Sequence, residues 1–225
     1  MKKLTIYPLS PIELSSGITI LKIASTKLML QVNQSLQCAN EGVVLSQDGE
    51  IITAKSVNYI GDILQPIDFN KIFGKILIKN LLKQIDDFEL NELHELNSTL
   101  QSKVNLMLFE SDLPGTVLDN WDLSRLLKYL DFQIEEPIYD DLYGIIEGIV
   151  SVASKLGDTR LIAFCNAALY LSDDQIKALD CEMKINNIEA LFFESATLRE
   201  SVGERTLNVV EIDDDFVKFE DDSID

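Results

Sequence analysis

Four lysines recur at intervals of four residues near the middle of the chain. They are Lys71, Lys75, Lys79 and Lys83, about a fifth of the 19 Lys and Arg residues. On an α-helix this spacing sweeps an arc of about 120° along one side, opposite most of the apolar residues between Phe73 and Ile85. The pattern is typical either of an ordinary solvated helix face or of a surface that neutralises phosphate groups.

Carboxylates surround the turn predicted at Pro114-Gly115. The candidates are Glu110, Asp112, Asp119 and Asp122. Calcium is a hard cation that takes about six to eight oxygen ligands, so carboxylates that converge at a turn between helices suit it. The spacing is not that of an EF-hand loop. Asp119 or Asp122 has a second interpretation, as the N-cap of a short helix that begins near Trp121.

The residues that most enzymes need are missing from the sequence. Its one histidine, His94, has no partner for a catalytic triad or a zinc site. Neither glycine-rich phosphate-binding motif occurs. The three cysteines, Cys38, Cys165 and Cys181, form no CxxC pair, so we expect no disulfide framework and a reducing, cytoplasmic location. We therefore expect a protein that is not an enzyme.

Composition predicts a folded and strongly acidic protein. The 225 residues are 46% hydrophobic, enough for a substantial core, and no apolar run is long enough to span a membrane. We expect no export signal in the first residues, because Pro8 and Pro11 interrupt any apolar run there. A net charge of −19 repels nucleic acid unless cations are concentrated or metal ions mask the carboxylates.

Hydrophobic periodicity divides the chain into α/β and purely helical parts. Short apolar runs predict strands at Leu4–Tyr7, Ile18–Leu21, Leu161–Cys165, Ala190–Phe193 and Leu207–Ile212, and helices alternate with the later ones. From residue 68 the period becomes helical for about forty residues. We predict an α/β domain over residues 1–67 and 133–225, a helical insertion over 68–132 and an acidic tail over 211–225.

Several segments resemble the Csn-two family of CRISPR-associated proteins. An apolar strand that ends in Asn166 is followed by Leu171-Ser-Asp-Asp174, a helix, and the run Leu191-Phe-Phe-Glu194. Upstream, Phe109-Glu-Ser-Asp-Leu113 and Pro11-Ile-Glu-Leu14 are similar to further family segments. The resemblance covers nearly the whole chain in order, except that residues 30–70 align poorly.

The resemblance implies a fold, an assembly and a function. The fold is a globular head with a mixed sheet, similar to P-loop ATPase heads but without a working phosphate loop, and an inserted α-helical leg. The assembly is a ring-shaped homotetramer that requires calcium and binds the ends of double-stranded DNA without sequence preference. The function is CRISPR adaptation, the acquisition of spacers alongside the integrase and the effector nuclease of the same locus, with no role for a membrane.

The resemblance also implies site residues. It favours Glu110 and Asp112 as calcium ligands, and Asp119 and Asp122 are the next candidates. For DNA binding, the resemblance adds Lys155 and Arg160 to the four lysines identified from their spacing, because these two match a basic stretch of the family that Asp158 interrupts here. Asn166 stands where an ATPase head has a metal-binding carboxylate. Two other functions stay open, an acidic scaffold that binds only protein partners and a divergent NTPase.

Overall fold

The chain divides into two compact units. The computed structural model describes residues 1–38, 42–52, 54–118, 120–134, 139, 141–196 and 207–220. The sheet unit consists of Met1–Asp68 together with Pro137–Asp225, and the helical unit is Phe69–Glu136. In sequence, the helical unit therefore interrupts the sheet unit once.

The sheet unit contains two β-sheets. Their strands are β1 (Lys2–Ile6), β2 (Ile12–Leu14), β3 (Gly17–Ile23), β4 (Val43–Gln47), β5 (Glu50–Ile51), β6 (Val57–Asp62), β7 (Leu161–Cys165), β8 (Glu189–Ser195), β9 (Asn208–Ile212) and β10 (Lys218–Glu220). The smaller sheet is antiparallel, in the order β2-β1-β4-β5. The larger has the order β10-β9-β3-β8-β7-β6, in which β3, β6, β7, β8 and β9 are parallel and β10 is antiparallel to β9.

Six α-helices form within the described residues. They are α1 (Thr26–Gln37), α2 (Phe69–Gln84), α3 (Asp87–Glu110), α4 (Leu123–Tyr129), α5 (Leu142–Leu156) and α6 (Asp173–Ile185). Side-chain oxygens that accept from the first-turn amides determine where several helices begin. Ser25 caps α1 and Asp141 caps α5, while Ser172 and Gln175 form a capping box on α6. No helix in this part of the chain is both long and apolar enough to cross a membrane.

The core of the sheet unit lies on the parallel strands. β3, β7 and β8 are buried along most of their length, as expected for strands covered on both faces. Phe164 and Phe192 are fully buried and meet edge to face with ring centroids 5.1 Å apart. The predicted mixed α/β fold is confirmed by these strands and helices.

The start of the large sheet is held by a buried carboxylate. Gly17, the first residue of β3, has a φ of +98°, and a Cβ there would collide with Oδ1 of Asp180. That oxygen accepts from the amide of Ile18 at 2.8 Å, and Oδ2 pairs with Lys184 at 2.7 Å. Glycine is required here because the backbone passes close to α6 in a conformation that other residues avoid.

The helical unit contains α2, α3 and α4. Asp86 and Glu89 form a capping box that starts α3. α3 has no buried residue along its 24 positions. The sequence predicted a short helix that begins near Trp121, and the structure has α4 beginning at Leu123 with Asp122 as its cap.

Part of the predicted acidic tail is regular structure. Glu211 and Ile212 belong to β9, and residues 218–220 form β10 beside it. Between the two strands, Oδ1 of Asp213 accepts from the amides of Asp215 and Val217 at 3.0 and 2.8 Å and closes the turn. The residues of the predicted tail beyond 220 lie outside the described part of the chain.

Candidate nucleic-acid and metal-binding surfaces

The four lysines lie along one exposed side of α2. All four side chains are exposed, while Phe69 and Phe73 of the same helix are buried at 3% and 0% exposure. Within the described residues, Lys75, Lys79 and Lys83 take part in no ion pair. We call Lys71, Lys75, Lys79 and Lys83 the lysine stripe.

The dimensions of the lysine stripe suit a nucleic-acid backbone. With a rise of 1.5 Å per residue, Lys71 and Lys83 are separated by about 18 Å along the helix axis. One strand of a DNA duplex places a phosphate about every 3.4 Å along its axis, so the lysine stripe can reach several phosphates of one strand. These flexible ammonium groups are point charges, which suit phosphates and not the edges of particular bases.

Arg160, the sixth of the DNA-binding candidates, is bound to a neighbouring carboxylate. Its Nη2 donates to Oδ2 of Asp158 at 2.6 Å and its Nε donates to Oδ1 at 2.9 Å. The Asp158 side chain is only 2% exposed, and Nδ2 of Asn58 donates to it as well, at 2.8 Å. Burial tends to raise the pKa of Asp158, but the hydrogen bonds from Arg160 and Asn58 outweigh it and lower the pKa. Arg160 therefore contributes to the fold of the sheet unit, and its role in DNA binding stays a prediction.

Lys155 differs from Arg160 in its surroundings. It lies in the last turn of α5 and is exposed, where a cation also interacts favourably with the negative end of the helix dipole. Among the described residues it takes part in no ion pair. Lys155 belongs to the sheet unit and the lysine stripe to the helical unit.

Glu110 and Asp112 lie at the carboxyl end of α3. The helix ends in a Schellman turn, in which the amide of Asp112 donates to the carbonyl of Phe109 and that of Leu113 to Leu108. Asp112 has a φ of +50°, at the position where glycine is most common. Both carboxylates are exposed, and the last turn contains no basic residue. Negative charge thus accumulates at the negative end of a helix dipole, which favours a bound cation.

Of the other two calcium candidates, the structure describes only Asp122. Oδ1 of Asp122 accepts from the amide of Ser124 at 3.0 Å and caps α4, as the alternative interpretation of the sequence anticipated. Asp119 lies outside the described residues. Among those described, no three His, Cys, Asp or Glu side chains are grouped so that they could hold a metal ion. The calcium site stays a prediction.

Two polar side chains lie at the carboxyl edge of the parallel sheet, where the sequence predicted a residue in place of an ATPase carboxylate. Asn166 follows β7 with a φ of +55°, and its Oδ1 accepts from the amide of Ser195 at 3.1 Å. The buried Glu194, which sequence reasoning did not single out, accepts from the amide of Ala168 at 3.0 Å. Both side chains hold the turn after β7 against the end of β8. An isolated glutamate at the end of an apolar run carries no sequence signal for this role.

Burial and nearby negative charge act on Cys165 at the same edge. The thiol is half-buried, and burial, followed by the charges of Glu194 and Asp62, raises its pKa to about 11. At neutral pH it is therefore a protonated thiol with little nucleophilic character. Cys165 acts as a small packing residue between the sheet and its surroundings, in contact with the main core cluster.

Comparison with known proteins identifies the family. The family model described as CRISPR-associated protein (Cas_Csn2) matches residues 37–216, so the chain belongs to that family. The resemblance to Csn-two proteins inferred from the sequence is thereby confirmed, and with it a role in CRISPR-associated adaptation. The comparison with individual curated proteins gave no match.

A solved structure shares the fold. The crystal structure of Stu0660 of Streptococcus thermophilus is similar with a TM-score of 0.55 and 16% sequence identity. The similarity covers 93% of this chain and 74% of the Stu0660 chain. At that identity the likeness establishes the fold, and residue roles have to be argued from this chain itself.

Proposed function

We propose that this adaptation protein binds the ends of double-stranded DNA without sequence preference, as a calcium-dependent ring-shaped homotetramer. The observation that carries the proposal is the lysine stripe on α2: a chain with a net charge of −19 concentrates four exposed lysines on one helix side. Lys155 is a further candidate contact. In the CRISPR locus, its partners are the integrase and the effector nuclease.

Binding through the lysine stripe would rest on phosphate contacts. Each neutralised phosphate releases condensed counterions, so affinity falls steeply as salt rises, with a slope of about −0.9 per contact on a log–log scale. The net negative charge opposes the approach of DNA over long distances. Affinity therefore has to come from local contacts, and symmetry in a ring multiplies these by placing several stripes around one duplex.

Calcium is proposed at the carboxyl end of α3. Glu110 and Asp112 supply two carboxylates there, and Asp119 and Asp122 follow within the next dozen residues of the chain. The Schellman turn already pairs the carbonyls of Leu108 and Phe109, so the site rests on the carboxylates and on the negative end of the helix dipole. A hard divalent cation suits these oxygen ligands and offsets local repulsion between carboxylates.

Assembly into a tetramer is supported by the exposed apolar surface of α3. Leu100, Val104 and Met107 share one side of the helix and are 53%, 38% and 65% exposed. Apolar side chains grouped in this way are typical of a surface that contacts another chain. Because four copies of so acidic a chain repel one another, calcium bound to carboxylates also favours assembly.

We infer that the sheet unit is related to P-loop ATPase heads but does not hydrolyse nucleotides. In support of the relation, β3 lies between the parallel strands β8 and β9 and leads directly into α1. Only Ala24 and Ser25 connect β3 to α1, and Ser25 Oγ accepts from the amide of Leu28. That connection lacks the glycines and the lysine that cradle phosphates.

The decisive experiment is a titration of a fluorescent linear duplex by the protein, with calcium and with a chelator. We expect calcium-dependent binding of linear duplexes of any sequence and weak binding of a closed circular duplex. The same samples are assayed for phosphate release from ATP. Equal binding of closed circles contradicts recognition of ends, no binding of either DNA favours the scaffold alternative, and DNA-stimulated ATP hydrolysis favours the NTPase.

A further inference from the structure

An apolar groove lies within the helical unit, between α2, α3 and α4. Its volume is about 590 Å³, within the range of sites that bind ligands or side chains of a partner. Leu123 and Leu127 of α4 are buried, whereas Leu96 and Leu130 are 68% and 61% exposed at the open side. The remaining lining residues are Leu81, Gln84, Ile85, Glu89, Glu92, Leu93 and Leu126.

The polar residues of the groove are neutral or acidic. Gln84, Glu89 and Glu92 line it, and none of the described Lys or Arg residues does. Lys83, Arg125 and Lys128, which are next in sequence to lining residues, are exposed and do not line the groove. An apolar surface with an acidic edge is complementary to an apolar segment that carries positive charge.

We propose that this groove binds a basic amphipathic helix of a partner protein. Two to three helical turns, with apolar residues at i, i+3, i+4 and i+7, would fill the space between α2, α3 and α4. Lysines or arginines flanking that apolar face would meet Glu89 and Glu92. The proposal concerns a surface separate from the lysine stripe and does not depend on DNA or calcium.

A second copy of the chain is a poorer occupant. The chain's own basic helix is α2, and the apolar residues Phe69 and Phe73 on it are already buried. The exposed apolar side of α3, around Leu100, Val104 and Met107, has one charged residue within positions 97–109, Lys103, so it offers Glu89 and Glu92 fewer cations than a basic helix does.

Binding is tested with two designed peptides of about 16 residues that share the same leucine positions. One has Lys and Arg on its polar face and the other has Glu, and both are fluorescently labelled. Anisotropy is measured with the full chain at low salt, in chelator and without DNA. We expect the basic peptide to bind and the acidic peptide to bind at least about tenfold more weakly, because the latter faces Glu89 and Glu92.

Three substitutions locate the site. Leu96→Glu and Leu130→Glu place a charge on either side of the groove at exposed positions, so each should fold normally and weaken the basic peptide about tenfold or more. Glu92→Lys should weaken it several-fold. Glu95→Lys makes the same charge change on the same helix at a residue that does not line the groove, and should leave affinity unchanged.

Several outcomes overturn the proposal. The basic peptide fails to bind; the acidic peptide binds equally well; or Glu95→Lys weakens binding as much as Glu92→Lys, which indicates a general charge effect. Concentration-dependent self-association of the wild type that Leu96→Glu and Leu130→Glu both abolish, measured by sedimentation velocity, assigns the groove to a second copy instead. Circular dichroism of each variant establishes that it is folded.

Discussion

Arg160 holds the buried carboxylate of Asp158 through two guanidinium nitrogens, Nη2 at 2.6 Å from Oδ2 and Nε at 2.9 Å from Oδ1. Asp158→Asn should therefore lower the free energy of unfolding by about 2 kcal/mol, because the partly exposed guanidinium loses the charged acceptor of its hydrogen bonds. Urea unfolding at neutral pH measures the change. Lys155→Gln, a change at an exposed neighbour, is the control and should alter stability little.

The same pair predicts a dependence on pH. The pKa of Asp158 is lowered in the folded protein, so its contribution to stability is complete above the pKa of the unfolded chain, about 4. It is lost as pH falls through the folded pKa. The stability difference between wild type and Asp158→Asn should be constant from pH 7 to 5 and shrink below about pH 4. A difference that grows on acidification contradicts this assignment.

Removal of the lysine stripe should weaken every linear duplex alike. Changing Lys71, Lys75, Lys79 and Lys83 to Gln keeps helix propensity while removing four positive charges. The slope of log affinity against log salt should flatten by about 0.9 for each phosphate that the variant no longer neutralises. Filter binding at four salt concentrations measures the slope.

A matched variant separates this effect from a change in net charge. Lys27, Lys103, Arg125 and Lys128 are exposed residues outside the lysine stripe, and changing them to Gln also removes four positive charges. This variant should keep most of the wild-type slope. If both variants lose affinity equally, the stripe is an ordinary solvated helix face.

The carboxyl end of α3 offers a test for calcium. Glu110→Gln with Asp112→Asn removes both charges, and asparagine tolerates the positive φ at residue 112. We expect the variant to lose most of the increase in melting temperature that calcium gives the wild type, because two ligands of the proposed site lose their charge. Without calcium it should melt at or above the wild-type temperature, since repulsion at the helix end is relieved.

A control for the calcium experiment lies in the same unit. Glu95→Gln removes a charge from an exposed position within α3 and should leave the calcium-induced shift intact. Isothermal titration calorimetry gives the stoichiometry directly. An unchanged calcium-induced shift in the double variant excludes these two residues as ligands.

The cysteines should differ in their reactivity with a thiol reagent. Cys38 and Cys181 are exposed, whereas Cys165 is half-buried and has a pKa raised to about 11. At pH 8 only about one molecule in a thousand carries the Cys165 thiolate, so two thiols should react quickly and one slowly. The slow rate should increase with pH up to about 11. Three equally fast thiols in the native protein contradict the environment described for Cys165.

Much of the fold could be predicted from local patterns. The apolar run Leu161–Cys165 coincides with β7, and the signal Ser172-Asp173-Asp174 marks the beginning of α6 because a capping box needs only nearby residues. β6 was missed. Its sequence, Val57 to Asp62, includes Asn58 and Gly61, and its pairing with β7 is irregular between Tyr59 and Gly61, so no continuous apolar or alternating pattern results.

The candidate site could be predicted only for residues whose position follows from the repeat of an α-helix. The exposure of the lysine stripe follows from its four-residue spacing on an amphipathic helix. The ion pair of Arg160 with Asp158 could not be predicted in this way. Asp158 is buried against Asn58, which lies one hundred residues away in sequence, and no local pattern indicates that contact. Likewise, Asp122 could be either a cap or a ligand, and only the position of the Ser124 amide shows that it caps α4.

The strand order of the large sheet has a consequence for how the protein folds during synthesis. β3 is made among the first 23 residues, but both of its neighbours, β8 and β9, come from the last forty. The small sheet, in contrast, is complete once residue 51 has left the ribosome. β3, with its apolar residues from Ile18 to Ile23, must therefore wait for nearly the whole chain, and such non-local pairing makes folding slow and exposes the nascent strand to aggregation.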